Sequence, residues 1–401
     1  MPTIHSVLRR PNPELDRSRL ISGGNTITPA DIQPECWREW NDFNYLTLTK
    51  IFHRQLSSDY TGPDNFPDRI LPRDLQLRTE NSVDYVLRHK VVDPVNWCLD
   101  QSGRKPHLGM GDRCVGKGDW SLVVRYGPDS SDESDLPVNI LAGDTKVSSK
   151  FYPEMTNAAE WQKVLAQVLG YMADCQTRYG FIATDEHFFA LRLTRKRMGE
   201  GIAADHNRPR RHAAPAAGGH ERQISDASTL SDVSTRSGNT SGQESSYVDN
   251  NARNFEYRNP ELKIIPYDHD GKKKTLNMKE GFYFMSMLAT YGDRHLDYEY
   301  PPLNSWCVSP DGGYVHTTNG EKKDALAPGD VLWDPSQQEP AGEEQAPEEG
   351  VSLISLLSDG LARMRVGGEE EEEEDEDEDG DQPQVEAPRH SYHLRPRGVG
   401  P

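Results

Sequence analysis

The sequence is short of apolar residues. Hydrophobic side chains make up 34% of its 401 residues, or about 38% when Gly is counted and Tyr is not, against roughly 45–50% in an ordinary globular domain. The deficit predicts that part of the chain lies outside any packed core. Long apolar runs are missing as well: no stretch approaches the roughly 18 residues that a membrane span needs, so no membrane partner is expected. The opening segment, Met1 to Arg10, lacks the apolar stretch of a secretory signal. Cysteine is scarce and scattered. Cys36, Cys98, Cys114, Cys175 and Cys307 form no Cys-x-x-Cys pair and have no histidine at zinc spacing. Such a set argues for free thiols in a reducing compartment, not a disulfide framework, and predicts an intracellular protein, nuclear or cytoplasmic. Positive charge is in the minority, with 45 Lys+Arg against 65 Asp+Glu for a net −20. That excludes a basic protein that coats nucleic acid, though not a domain with a local basic groove.

The acidic excess is local. Every residue from Glu369 to Asp379 is acidic, and Asp381 brings the run to 12 charges, without which the net charge is −8. A run of this kind is ordinarily a solvated tail; the functional alternative is a nucleic-acid mimic that occupies its own basic groove or binds a protein partner such as a histone. Composition divides the rest. Residues 1–34 read as an N-terminal extension, and 35–196 hold most of the Trp and the periodic stretches. Residues 197–253 run through Arg, Pro and Ala into Ser, Thr, Asp and Gly with hardly an aliphatic side chain, which predicts a disordered insertion. Residues 254–334 resume the core with a strand at Leu262–Tyr267 and a helix at Met278–Tyr291. The remainder, 335–401, is a low-complexity acidic tail with one short amphipathic segment, Val351–Val366.

Within the first folded block, Val83, Val86, Leu87 and Val91 recur at helical spacing over Thr79–Val92, with Glu80 in the first turn and Pro94 beyond the expected end. Trp120–Tyr126 alternates as a strand with Asp119 at its entry, and Val138–Lys146 reads as a second strand. Asn157 to Glu160 forms a plausible capping box for a helix whose apolar stripe is Trp161, Val164, Leu165, Val168, Leu169 and Met172. Arg178–Thr184 and His187–Leu193 read as two further strands, and a weaker one is expected near His107–Gly111. The order is that of an α/β protein, a mixed central sheet flanked by helices.

The chemistry concentrates in Leu141 to Lys146. Residues two apart in a strand share a face, about 6.6–6.8 Å from each other, so Asp144 and Lys146 project together while Thr145 points away. An isolated Asp-x-Lys is usually a plain ion pair. Here it has company, because Asp119 starts the preceding strand and can lie opposite Asp144. Two converging carboxylates repel unless a proton or a divalent cation resolves them, and an oxygen-rich site suits Mg²⁺ or Mn²⁺. Gln167 and Tyr171, four apart on the second helix and off its apolar stripe, would line the same rim. Glu80 could add a third carboxylate.

Helical Glu80, then Gly118-Asp119-Trp120, then Gly143-Asp144-Thr145-Lys146, then Gln167 and Tyr171 together resemble the PD-(D/E)XK nuclease-like superfamily. More narrowly, the segments 143–150, 167–172 and 177–185 resemble a group of uncharacterised fungal proteins with that domain. The resemblance covers about Glu80 to Leu193, and more loosely Leu262 to Tyr291. It implies a restriction-endonuclease-like αβββαβ core and Mg²⁺- or Mn²⁺-dependent hydrolysis of a nucleic-acid phosphodiester. Asp119, Asp144, the Thr145 carbonyl and Glu80 would be the metal ligands. Lys146 would position and help deprotonate the attacking water, and Gln167 and Tyr171 would orient the substrate. In the alternative, the fold survives as a non-catalytic interaction module binding protein or nucleic acid. Gly118 stands where the motif has proline, and Asp112 competes with Asp119 for the acidic role.

Other patterns fall away. Gly111 to Gly118 approaches a phosphate-binding loop, but Gly118 has no hydroxyl for Mg²⁺ and a strand follows where a helix should. Kinase motifs are lacking. Arg195 to Arg197 and Arg208 to Arg211 could contact phosphate, serve as a nuclear import signal or sit in solvated loops. His187, Trp161, Phe188 and Phe189 read as packing residues.

Overall fold

The computed structural model describes residues 1–21, 25, 32–63, 71–110, 118–124, 139–155, 158–196, 255–269 and 274–334. The insertion expected over 197–253, the acidic tail with Val351–Val366, Asn157 of the capping box, the stretch 111–117 and Asp112 lie outside the described residues.

Among the described residues the helices are α1 (Ile4–Leu8), α2 (Tyr45–Ile51), α3 (His53–Leu56), α4 (Glu80–Val86), α5 (Asp93–Leu99), α6 (Ala158–Asp174) and α7 (Met278–Tyr291). The strands are β1 (Arg38–Glu39), β2 (Pro106–Met110), β3 (Trp120–Val124), β4 (Ala142–Thr145), β5 (Tyr179–Ala183), β6 (His187–Arg192), β7 (Glu261–Pro266), β8 (Ser305–Val308), β9 (Tyr314–His316), β10 (Lys322–Lys323) and β11 (Val331–Leu332). Seven strands form one mixed sheet in the order β1-β7-β6-β5-β4-β3-β2, and β10-β9-β8-β11 form a second, small one. The α/β class read from the sequence is the class observed.

The main sheet is built around two meanders. Strands β2, β3 and β4 run antiparallel in succession; α6 then crosses over, and β5 returns parallel to β4 before β6 and β7 continue antiparallel. Strand alternation assigns the layers. Phe181, Phe188 and Ala190 pack on one face with α4, α5 and α7, whereas Ile182, Phe189 and Leu191 pack on the other with the Trp161–Met172 stripe of α6. Trp161, Phe188 and Phe189 are core residues, as their pattern suggested. His187 is partly buried at the strand edge, and burial holds its pKa below the usual histidine range.

One helix departs from expectation. It was expected to stop before Pro94, yet α4 runs into a π-helical segment, Leu87–Val92, and onward into α5 with Pro94 in its first turn. Proline lacks an N–H and crowds the carbonyl four residues back. The wider π turn absorbs that misfit, and helical backbone continues to Leu99. At the other end, the Ser82 hydroxyl accepts from the Thr79 N–H at 2.9 Å, which sets the start of the helix and puts Glu80 in the first turn.

The N-terminal residues contribute to the core. Ile4, Val7 and Leu8 of α1, together with Leu15, are buried in the main apolar cluster. Wholly buried Glu280 of α7 is met by Arg9 at 3.3 Å and His5 at 3.5 Å. No helix among the described residues is long and apolar enough to cross a membrane.

Candidate active site

The site forms where β3 begins and β4 ends. Gly118 supplies the entry to β3 with φ +135, a conformation that proline, held near −65°, cannot adopt. Glycine at this position therefore has a backbone cause. Asp119 follows, exposed, and Trp120 pairs directly with Gly143 across the ladder. Gly143 has no side chain because the Phe181 ring of β5 fills that space: a Cβ there would come within 2.1 Å of it. Trp120 Nε1 donates to Thr145 Oγ1 at 2.7 Å, which locks β3 against the end of β4.

Asp144 is 0% exposed and Lys146 is 7% exposed. The Lys146 Nζ lies 2.6 Å from Asp144 Oδ2 and 3.2 Å from the Thr145 carbonyl oxygen. Beyond this ion pair, neither Asp144 oxygen has a hydrogen-bond partner among the described residues. Burial pushes the Asp144 carboxyl well above its ordinary pKa; the neighbouring Asp119 carboxyl pushes it further, and Lys146 pulls it back. For Lys146 burial acts to release the proton, but the adjacent Asp144 outweighs it and the net shift is upward. The amine is an ammonium here.

Helix α4 brings two more acids. Glu80 pairs with Lys150 at 3.3 Å and acts electrostatically on Lys146. Burial lifts the pKa of Asp84, one turn later, to about 6; the nearby Thr145 hydroxyl opposes the rise, and Asp119 and Glu80 add to it. Its Oδ1 is buried without a hydrogen-bond partner among the described residues. On α6, Gln167 Nε2 donates to Tyr171 Oη at 2.7 Å. Burial raises the Tyr171 pKa, and Asp144 and Asp119 are near enough to contribute.

The structure thus draws Asp119, Asp144, Thr145, Lys146, Glu80 and the Gln167–Tyr171 pair toward one strand end. Asp84 was missed by sequence reasoning. Its signal was its i+4 relation to Glu80 beside buried Leu87, three residues on, a spacing that by itself does not distinguish it from a solvent-facing residue. Asp185 provides a contrast. It is equally buried but satisfied, accepting from Ser148 N at 2.7 Å, Ser148 Oγ at 2.8 Å and Arg17 Nε at 2.9 Å. Asp144 has no comparable set of donors.

Among the described residues, no three His, Cys, Asp or Glu side chains come together as a ready-made metal cage. The cluster offers two adjoining carboxylates and a backbone carbonyl, with Glu80 and Asp84 farther out. The chain matches no protein-family model, no curated protein and no solved structure.

Proposed function

We propose that this site is a PD-(D/E)XK-like centre that hydrolyses a nucleic-acid phosphodiester with Mg²⁺ or Mn²⁺. The observation that carries the reading is the convergence of Asp119 and Lys146 on an Asp144 that is wholly buried and short of hydrogen bonds. Connectivity supports it. The succession α4, antiparallel β2-β3-β4, crossover α6 and parallel β5 has the αβββαβ order of a restriction-endonuclease-like core.

The residues suit a hard divalent cation. Four carboxylates (Glu80, Asp84, Asp119, Asp144) face two ammonium groups (Lys146, Lys150), which leaves two negative charges to be met by protons or a cation. Asp119, Asp144 and the Thr145 carbonyl would hold the ion, with Glu80 reaching it through water. When bound, such an ion neutralises charge on the phosphoryl oxygens and makes water more acidic. The protein groups then divide the remaining work. Lys146, held protonated by Asp144, orients a water or a phosphate oxygen as a point-charge donor. Gln167 and Tyr171 hold each other and present one rim against the substrate strand. Burial around Asp144 strengthens each of these interactions relative to open water.

The test is cleavage of single- and double-stranded DNA and RNA by the full chain in Mg²⁺ or Mn²⁺. Activity is expected, and Lys146→Ala is expected to abolish it while remaining folded in Mg²⁺. A wild-type protein that is inert on all substrates and gains no stability from either metal would overturn the reading.

One observation favours a second reading, a non-catalytic module of the same fold. The Lys146 ammonium occupies the space between Asp144 Oδ2 and the Thr145 carbonyl, atoms that the cation would use. On that reading the lysine is the permanent counter-charge. Lys146→Ala would then cost roughly 3–5 kcal/mol of stability, with or without metal, by stranding a buried carboxylate.

A further inference from the structure

Away from the acidic cluster, a cleft of about 260 Å³ opens between α3, the turn after α5, and α7. Its lining includes Arg54, Gln55, Ser102, Gly103, Tyr283 and Tyr291. None of the residues of the candidate active site reaches it. Three of its lining residues carry buried polar atoms with no hydrogen-bond partner among the described residues: Gln55 Oε1, Ser102 Oγ and Tyr283 Oη. Such atoms cost free energy unless something meets them.

The chemistry of the lining restricts what could. No Asp or Glu lines the cleft. Arg54 is exposed at its edge, and its guanidinium takes part in no ion pair or hydrogen bond among the described residues. Neighbouring Arg104 is already committed: it donates to the Thr290 carbonyl and lies over the Tyr291 ring at 5.2 Å. Beside one uncommitted cation, the lining therefore holds two hydroxyls that can donate or accept and one amide oxygen that can only accept, each without a partner among the described residues. An anion would meet Arg54, and a hydroxyl on the same molecule would satisfy Gln55 Oε1. Space is available, since a Cβ added at Gly103 would meet only the Tyr291 hydroxyl, at 3.8 Å.

We infer that this cleft binds a small hydroxylated anion, of the phosphorylated-polyol class, through Arg54 together with Gln55, Ser102 and Tyr283. The site is independent of the phosphodiesterase reading, since it shares no residue with that cluster.

The experiment is calorimetric titration of the full chain in EDTA, which removes any metal-bridged phosphate binding at the acidic cluster. The probes are glycerol 3-phosphate, inorganic phosphate and glycerol. Saturable binding of glycerol 3-phosphate is expected, with phosphate and glycerol each weaker. Arg54→Gln should weaken glycerol 3-phosphate binding about tenfold or more, as loss of a charge-assisted contact does. Tyr283→Phe keeps the buried ring and should weaken binding about threefold to tenfold. Gly103→Leu, which places a side chain in the cleft, should abolish binding with the polar groups intact. No saturable binding of any probe by wild type would overturn the inference and leave the cleft a solvent pocket. Binding unchanged in both Arg54→Gln and Gly103→Leu would overturn it as well, because the anion would then sit elsewhere.

Discussion

The Trp120 indole N–H donates to the Thr145 hydroxyl at 2.7 Å. One side-chain oxygen therefore ties β3 to β4 at the edge of the acidic cluster. Thr145→Val, nearly isosteric, would leave a buried indole N–H unpaired. We expect it to cost about 1–3 kcal/mol in urea unfolding, whereas Thr145→Ser should cost less because the hydroxyl remains. Equal losses for the two variants would show that methyl packing, not the hydrogen bond, sets the stability here.

The Asp84 carboxyl titrates near pH 6 in the folded protein against an ordinary 3.8. A raised carboxyl pKa means that the folded state holds a proton more tightly than the unfolded state does. Its contribution to stability is most favourable below about pH 4 and is lost as pH rises through 6. Asp84→Asn removes this dependence. In metal-free buffer at pH 8 the variant should be more stable than wild type by about 1–2 kcal/mol, within the roughly 3 kcal/mol upper bound set by the full shift. The difference should vanish near pH 4. A constant difference across that range would dissociate the shift from Asp84.

Added Mg²⁺ or Mn²⁺ should stabilise the wild type, because an ion at Asp119 and Asp144 binds the folded state alone. At a concentration 100 times Kd the gain is about 2.7 kcal/mol, visible as a rise of several degrees in Tm. Asp144→Ala should abolish the response to metal, and Asp84→Asn should retain most of it. Thermal unfolding of the three proteins with and without metal distinguishes a cation site from an internally neutralised lysine pair.

Gly118 has φ +135, and a Cβ there would lie 3.1 Å from the Gly143 carbonyl oxygen. Gly118→Ala should cost about 1–3 kcal/mol from backbone strain. Gly118→Pro, which installs the residue that the motif usually carries, should cost more and should misplace Asp119. A Gly118→Pro protein as stable as wild type would mean that the β3 entry can rearrange freely.

Local patterns in the chain carried much of this architecture. Alternation marked a strand over Trp120–Tyr126, short apolar runs marked those over Arg178–Thr184 and His187–Leu193, and the stripe from Trp161 to Met172 marked α6, because strand and helix signals are written directly in which positions are apolar. The Asp-x-Lys spacing put Asp144 and Lys146 on one face for the same reason. Three features were not legible in this way. Helix continuation through Pro94 depends on a π turn that no spacing announces. The burial of α1 depends on α7, some 270 residues away, whose Glu280 needs Arg9 and His5. The membership of Asp84 depends on where α4 meets β4.

Periodicity could therefore name the elements and pair residues within a strand, since both are set by neighbours along the backbone. The burial of Asp144, the approach of Asp119 to it, and the hydrogen bond from Trp120 to the Thr145 hydroxyl arise only when distant segments pack, because charge, desolvation and hydrogen bonding act through space.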